Sequence, residues 1–289
     1  MGQHGADTPS ATTVGAGGQA ANVAAWAVAL GEQARLLAKR ANDLAGELIT
    51  EDLRRRGVDV AGPVISGSTG VVVSVSERGG ERTMLTDRGV CPLLSVAELR
   101  EEWFHGCDRL HLPLYSLIDA PIREAAIEAA RRVGRVSVDL SSVTVLREIG
   151  PAEVDRLLGL VKPEVIFGNE RESALLAREG QNTGARIMIE KLGPAGVRVN
   201  GKLWQARPAE PADSTGAGDA FAAGFLVGGV DLGLEAAARA VSHLGAMPLW
   251  DRQPRPATGI GVTSLPNMRQ LCHSGTVWGA AREAGDDPG

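Results

Sequence analysis

The fold is decided by a run of small and acidic residues that opens an apolar helix, Asp213-Ser214-Thr215-Gly216-Ala217-Gly218-Asp219-Ala220-Phe221. Small residues at a helix start leave backbone N–H groups open, and the helix dipole adds positive potential there. Such a start can bind an anion such as a phosphate. The carboxylate of Asp219 falls in the same turn, where it could take a proton from a hydroxyl that attacks phosphorus. Acidic residues are also common in first helical turns, so the run alone leaves a structural interpretation open.

Helix and strand patterns alternate along the chain on both sides of this run. Hydrophobic periodicity and end signals predict helices over 19–30, 45–56, 121–133, 151–161, 216–227 and 234–244. Short apolar runs predict strands over 71–75, 82–86, 110–112, 136–140, 165–167 and 186–192. This alternation predicts an α/β fold with a mostly parallel sheet covered by helices on both faces. The strands within 71–86 break the alternation and predict a projecting lid.

The composition is that of an ordinary globular chain and excludes several classes of function. The 289 residues include 35 acidic and 30 basic side chains, so no basic surplus exists to bind a nucleic acid. The uncharged stretch 8–31 contains glycines and polar residues, which argues against a span through a membrane. The scattered Cys91, Cys107 and Cys272 do not indicate a disulfide framework or a zinc site. We therefore expect a cytoplasmic protein.

The run at 213–219 resembles the C-terminal signature of the ribokinase-like (PfkB-type) carbohydrate kinases, with Ser214 in place of a more usual threonine. Further motifs of that family occur in the same order along the chain. They are Gly-Gly-x-x-x-Asn at Gly17, Gly18 and Asn22, a variant of Gly-Asp-Asp-x-x-Gly at 41–46, Asn-x-x-Glu at Asn169 and Glu172, and strand-end glycines at Gly193 and Gly196. The resemblance covers residues 15–247.

This resemblance implies a single-domain, ribokinase-like three-layer sandwich over 1–289 and an ATP-dependent kinase that phosphorylates a sugar or sugar-like alcohol. Asp219 would be the base, and the backbone N–H groups of Gly216, Ala217 and Gly218 would form the anion hole. The acceptor would be bound by Gly17, Gly18, Asn22, Asn42 and Asp43. The nucleotide would be bound by Asn169, Lys191, Gly193, Gly196, Asp213 and Thr215. Glu172 would hold Mg²⁺ through water, which suits an ion that keeps several of its waters.

Several alternatives stay open at this point. Within the family, a nucleoside is the second choice of acceptor, and a truncated, non-catalytic ligand-binding remnant is the second choice of function. Lys191 could be a structural lysine at a strand end. The stretch 15–20 also fits the Gly-x-Gly-x-x-Ala fingerprint of dinucleotide-binding oxidoreductases. That fingerprint must follow a buried strand, and the residues before it are polar, so we set it aside.

The lid and the two ends of the chain carry separate expectations. By the resemblance, the lid comprises 5–16 and 66–90, and its apolar strand could pair with a second copy to form a homodimer. A buried strand should precede the Gly-Gly motif, but 1–14 contains no apolar run, so we expect that strand to be missing. Asp7 is a poor replacement for the aspartate at its end. Residues 251–289 lack periodicity and predict a divergent or poorly ordered C-terminal segment.

Overall fold

A nine-stranded sheet is the centre of the computed structural model, which describes residues 12–76, 82–177, 184–249 and 271–274. The strands are β1 (Ala34–Leu37), β2 (Arg40–Ala41), β3 (Asp59–Ala61), β4 (Val64–Ile65), β5 (Thr69–Ser76), β6 (Arg82–Gly89), β7 (Leu110–Pro113), β8 (Val136–Asp139), β9 (Val165–Asn169), β10 (Ile187–Lys191), β11 (Val197–Val199), β12 (Lys202–Trp204) and β13 (Leu271–Ser274). The α-helices are α1 (Gln19–Ala29), α2 (Leu44–Arg55), α3 (Ile122–Val133), α4 (Val143–Ile149), α5 (Pro151–Val161), α6 (Glu170–Ala177), α7 (Ala217–Gly228) and α8 (Val230–Val241).

The order of the strands in the sheet is β12-β11-β10-β9-β8-β7-β13-β1-β3. All pairs from β10 to β3 are parallel, and only the pairs of β11 with β10 and β12 are antiparallel. The predicted mostly parallel sheet is therefore confirmed. Since parallel strands end at one edge, the ends of β7, β8, β9 and β10 meet there, and ligands of open α/β sheets bind at this edge.

Two hydrophobic clusters cover the two faces of the sheet, and β9 shows how the sequence divides between them. Val165 and Phe167 pack into a cluster with residues of α1, α7 and α8, whereas Ile166 packs into a second cluster with residues of α3, α4 and α5. Successive side chains of a strand point to opposite faces, so an unbroken apolar run fits a strand buried on both. This confirms the prediction of a sheet between two helical layers.

The strand β1 was missed by the sequence analysis because a charged residue interrupts its short apolar run. The side chain of Arg35 is nonetheless buried, and its Nε donates to Asp59 Oδ2 of the neighbouring strand at 2.6 Å. Its Nη1 donates to the Trp103 carbonyl oxygen at 2.8 Å. Paired in this way, an arginine can lie in an otherwise apolar strand.

Three predictions concern the lid and the ends of the chain. The predicted hairpin is confirmed, because β5 and β6 pair antiparallel with Val73 opposite Leu85, and its role as a lid stays a prediction. Residues 12–18 form no strand, and β13 pairs in parallel with both β1 and β7 in the sheet. Residues 5–11 of the predicted lid, Asp7 and the segment 251–289 apart from β13 lie outside the described residues. The prediction of a missing first strand therefore stays a prediction.

Two further findings concern membrane-spanning helices and the cysteines. Across the described ranges, no helix is both long and apolar enough to cross a bilayer. Cys91 is a free thiol, whereas Cys107 is disulfide-bonded, a bond that the scattered cysteines did not predict. The cytoplasmic location stays a prediction.

Candidate active site

The start of α7 has the geometry of an anion-binding helix terminus. Gly216 caps the helix with φ 75°, a left-handed conformation that favours glycine. A Cβ built on it would lie 2.6 Å from atoms of Ala246, so a side chain is excluded at this position. The first backbone hydrogen bond of the helix runs from Ala220 N–H to the Gly216 carbonyl oxygen at 2.8 Å. The N–H groups of Gly218 and Asp219 precede that bond and have no partner within the helix.

The two signature motifs at opposite ends of the sequence meet in one hydrogen bond. Asn22 lies on α1 and is buried, and its Nδ2 donates to Asp219 Oδ2 at 2.7 Å across 197 residues of sequence. The Oδ1 atom of the same side chain is buried and accepts no hydrogen bond from any residue that the structure describes. A buried acceptor without a donor is costly, and a hydroxyl of a bound ligand would satisfy it.

Desolvation raises the pKa of Asp219 to about 7. The hydrogen bond from Asn22 lowers this pKa, the charge of Asp139 raises it and the charge of Lys191 lowers it. A carboxyl group with a pKa near 7 is a stronger base than an ordinary aspartate and is still deprotonated in about half of the molecules at neutral pH. Asp219 is therefore suited to proton abstraction.

Charged side chains from three neighbouring strands surround the start of α7. Asp139 ends β8, and its Oδ2 lies 2.6 Å from the Nζ of Lys191, which ends β10. Burial would lower the pKa of Lys191, but the charge and hydrogen bond of Asp139 raise it instead, so the ammonium stays charged. Burial and the charge of Asp139 raise the pKa of Glu172, which lies between them on α6 after β9.

Asn169 and Glu172 cap the start of α6 by bonding to each other's backbone. Asn169 N–H donates to Glu172 Oε2 at 2.8 Å, and Glu172 N–H donates to Asn169 Oδ1 at 2.9 Å. This is the reciprocal pattern of a capping box. It fixes the buried carboxylate of Glu172 through Oε2.

The charge balance of this region fits a magnesium ion held mainly by phosphates and water. Asp139, Glu172 and Asp219 bring three carboxyl groups near the single ammonium of Lys191. Among the described residues, no three acidic, His or Cys side chains are grouped closely enough to bind a metal directly. Mg²⁺ commonly uses one or two carboxylates together with waters and substrate phosphates. The buried carboxylate of Glu172 fits a contact to such an ion through water, and this role stays a prediction.

The Gly-Gly motif leaves room beside the start of α1. Gly18 caps the helix with φ 100°, and a Cβ built on Gly17 or Gly18 would meet no atom within 4 Å. Both glycines are exposed. A ligand could approach the backbone here next to Asn22, as predicted for the acceptor.

Asp43 and Asn42 lie at the joint between α2 and the lid. Asp43 caps α2: its Oδ1 accepts from Gly46 N–H at 2.8 Å and from Thr69 Oγ1 at 2.6 Å, and its Oδ2 accepts from Thr69 N–H at 2.8 Å. Asn42 is exposed, and its backbone N–H donates to the Ile65 carbonyl oxygen at 2.9 Å. The carboxylate of Asp43 thus ties α2 to the first lid strand, and its predicted contact with the acceptor remains a prediction.

The remaining predicted nucleotide-binding residues occupy tight turns. Gly193 and Gly196 shape the turn between β10 and β11, and a Cβ on Gly196 would lie 2.0 Å from the Trp204 carbonyl oxygen. Asp213 accepts from Thr215 N–H at 2.7 Å and from Gly245 N–H at 2.9 Å. These contacts shape the loop before α7, and they give the four residues a structural role beside the predicted one.

Asp139 and Ser141 were missed by the sequence analysis. Ser141 N–H donates to Asp139 Oδ1 at 3.0 Å, and Ser141 Oγ donates to Gln19 Oε1 at 2.8 Å. A carboxylate at the end of a predicted parallel strand was the available signal, because such strand ends line ligand sites. The link to Gln19 joins the N-terminal motif to the edge of the sheet and had no sequence signal.

Comparisons with known proteins give one consistent result. The family model for the pfkB family carbohydrate kinases matches residues 3–253. An ATP-dependent ribose-1-phosphate kinase from Halopiger xanaduensis is 34% identical over 223 residues, which cover 73% of this chain and 72% of that protein.

Two solved structures show where the fold is similar. An adenosine kinase from Sinorhizobium meliloti matches with a TM-score of 0.74 and 26% identity over 81% of this chain and 80% of that one. An aminoimidazole riboside kinase from Salmonella enterica, complexed with aminoimidazole riboside and an ATP analog, matches with a TM-score of 0.67 and 23% identity over 80% and 87%. The predicted ribokinase-like fold is confirmed.

Proposed function

Because the chain belongs to the pfkB family of carbohydrate kinases, we propose that it transfers the terminal phosphoryl group of ATP to a hydroxyl of a sugar or sugar-like acceptor, with Asp219 as the base. The observation that carries this proposal is the 2.7 Å contact between Asn22 and Asp219 at the start of α7. This contact joins the Gly-Gly-x-x-x-Asn motif to a carboxylate at the N-terminus of α7, which supports the roles proposed for them.

The reaction needs one proton transfer and one change of phosphorus–oxygen bond. Asp219 takes the proton of the acceptor hydroxyl, and the acceptor oxygen forms a bond to the terminal phosphorus. The bond from that phosphorus to the bridging oxygen of ATP breaks, and ADP leaves. The N–H groups of Gly216, Ala217 and Gly218 stabilise charge on the phosphoryl oxygens, which is the main contribution that a protein makes to such a transfer.

ATP and Mg²⁺ are the cofactors that this proposal requires. When bound, Mg²⁺ neutralises charge on the phosphates. Glu172, with one carboxylate oxygen held by the backbone, would orient a water of that ion together with Asn169. The turn at Gly193 and Gly196, the loop of Asp213 and Thr215, and Lys191 would line the nucleotide.

The acceptor class is supported by the names of the relatives. The ribose-1-phosphate kinase supports a pentose or a sugar phosphate, and the adenosine kinase structure supports a nucleoside as the second candidate. Both acceptors present a ribose hydroxyl, which could donate a hydrogen bond to the buried Oδ1 of Asn22. A non-catalytic ligand-binding remnant is the alternative outside catalysis.

The proposal is tested by measuring ADP release from Mg-ATP with separate acceptors: ribose, ribose-1-phosphate, fructose, adenosine and cytidine. We expect turnover with one class of acceptor and a loss of kcat of about 100- to 10,000-fold in Asp219→Asn, because the variant lacks the base. Glu235→Gln, which changes an exposed carboxylate on α8, is the matched control and should keep full activity.

The outcomes separate the alternatives. Turnover with nucleosides alone would favour a nucleoside kinase. A cooperative melting transition that Mg-ATP raises, without turnover of any acceptor, would favour the remnant. Full activity in Asp219→Asn would exclude Asp219 as the base.

We also propose that the lid forms a homodimer contact. Val71, Val73 and Val75 are each about half exposed, and Leu85 lies opposite Val73 on the same face. The same face also carries Asp87 opposite Val71 and Thr83 opposite Val75, so its apolar part is centred on Val73 and Leu85. An exposed apolar patch rimmed by polar residues is typical of an association surface.

A further inference from the structure

The Asp139–Lys191 pair joins two strands that are not neighbours. β9 lies between β8 and β10 and ends at Asn169, which is the register partner of Lys191. The two charged side chains meet across the end of β9, with 2% of the aspartate side chain and 17% of the lysine side chain exposed. The contact is therefore a buried ion pair at the edge of the sheet where the site lies.

The stability of the fold does not by itself explain such a pair. Moving two charges out of water costs several kcal/mol for each ion, and an apolar pair of similar volume is often as stable. The backbone neighbours of Asp139 in the sheet are apolar, with Phe167 as its register partner, while Glu172 and Asp219 add two more carboxyl groups near it. A buried ion pair at this position calls for a reason in the chemistry of the site.

The ammonium group of Lys191 lies against the first turn of α7. A Cβ built on Gly218 would be 3.2 Å from its Nζ. The N–H groups at the start of α7 and the ammonium therefore direct positive potential to the same volume. Asp219 lies one residue further on and senses the charge of Lys191.

Asp139 is itself fixed in place by the loop that follows β8. Its Oδ1 accepts from Ser141 N–H at 3.0 Å, and Ser141 has φ 67°, an uncommon conformation for a residue other than glycine. Ser141 Oγ also accepts from Leu114 N–H at 3.2 Å and contacts Gln19 on α1. The position of the ammonium thus depends on a chain of contacts that reaches the Gly-Gly motif.

We propose that Lys191 is a catalytic residue that binds the transferring phosphoryl group, and that Asp139 is a positioning residue that holds its ammonium at the start of α7. This inference rests on the proposed kinase function. An ammonium group carries three protons, so Lys191 keeps one hydrogen bond to Asp139 and donates another to a phosphoryl oxygen. It stays protonated throughout, because the acceptor proton goes to Asp219.

The test measures nucleotide affinity, which does not depend on the identity of the acceptor. The β,γ-imido analogue of ATP, ADP and AMP are titrated by calorimetry into wild type, Lys191→Met, Lys191→Arg and Asp139→Asn. We expect Lys191→Met to weaken binding of the imido analogue about 10- to 100-fold more than binding of AMP, because a charge-assisted contact to the terminal phosphate is lost. Lys191→Arg should recover part of this affinity.

Turnover of the same variants distinguishes positioning from structure. We expect Asp139→Asn to lower kcat, and to lower it no further when Lys191→Met is already present, because Asp139 acts through the lysine. Lys39→Met is the matched control, since Lys39 is a buried lysine 2.6 Å from Glu98 in a separate ion pair. It should lower the melting temperature without changing the affinity ratio of the imido analogue to AMP.

Each result decides the inference. If wild type binds none of the three nucleotides, the kinase proposal fails and this inference fails with it. If wild type binds them and the folded Lys191→Arg and Lys191→Met variants keep the wild-type affinity ratio and kcat, the kinase proposal stands and the role of Lys191 is overturned. If the double variant loses kcat by the product of the losses in Asp139→Asn and Lys191→Met, the two residues act independently and Asp139 does not act through Lys191.

Discussion

The two ends of the candidate site are built in opposite ways. The phosphate end, which comprises the ends of β8, β9 and β10 and the start of α7, is held by charges with little exposure, such as the buried Asp139 and its partner Lys191. The lid end, which comprises the start of α2 with β5 and β6, is held by hydrogen bonds to Asp43 and presents exposed apolar side chains such as Val73. The phosphate end is thus shielded from water and tightly fixed, whereas the lid end is exposed to solvent.

This difference matches what the proposed function would require of each end. Charge stabilisation in phosphoryl transfer depends on donors and carboxylates that are already in place, so the phosphate end must be rigid. Binding of the acceptor requires a surface that can open and close over it, and a lid joined to the domain through a few hydrogen bonds suits that purpose. Substitutions at the phosphate end should therefore affect kcat, and substitutions at the lid end should affect KM of the acceptor.

After Asp219→Asn, the largest effect is expected from Gly216→Val. The left-handed backbone and the 2.6 Å approach to Ala246 leave no space for a side chain, so the start of α7 must move. We expect kcat/KM to fall about 100- to 1,000-fold as the anion hole is displaced. Gly134→Val is the control: Gly134 also has a positive φ, but its surroundings are open. An equal loss of activity in both variants would mean that backbone strain, not the anion hole, is responsible.

Asn22→Leu should alter the pH dependence of catalysis. The hydrogen bond from Asn22 lowers the pKa of Asp219, which desolvation has raised to about 7, so its loss raises that pKa further. The base must be deprotonated, so activity rises with pH, and the acid limb of kcat/KM should move to higher pH. A shift of one unit lowers the activity at pH 6 about tenfold relative to that at pH 9, in addition to a loss at every pH from the missing acceptor contact. An unmoved acid limb would show that Asp219 is not the titrating group.

Local patterns predicted the fold well, and long-range contacts limited the prediction of the site. The unbroken apolar run of β9 and the glycine-rich start of α7 could be predicted, because their geometry depends on residues close to them in the sequence. β1 could not be recognised, because the charge of Arg35 is compensated by Asp59, 24 residues away. Asp139 was missed for the same reason, since its partner Lys191 is 52 residues away.

At the lid end, Asp43→Ala removes all the hydrogen bonds that its side chain accepts from Gly46 and Thr69. Loss of an N-cap costs about 1 kcal/mol, and we expect a several-fold rise in KM of the acceptor with ATP binding unchanged. Asp43→Asn retains a good N-cap residue without the charge. Near-wild-type kinetics in Asp43→Asn would assign a structural role to Asp43, whereas a KM as high as that of Asp43→Ala would indicate direct binding of the acceptor.

The smallest catalytic effect is expected where the lid is most exposed. Val73→Asp places a charge in the apolar face formed with Val71, Val75 and Leu85. Burying that charge in a contact between two copies would be costly, so sedimentation should show a wild-type dimer and a monomeric variant, with kcat at saturating acceptor unchanged. Leu160→Asp, at an exposed site on α5, is the control and should remain dimeric. If the wild-type protein stays monomeric at high concentration, the proposal of a dimer through the lid is wrong. The exposed lid end would then have a role only in binding the acceptor.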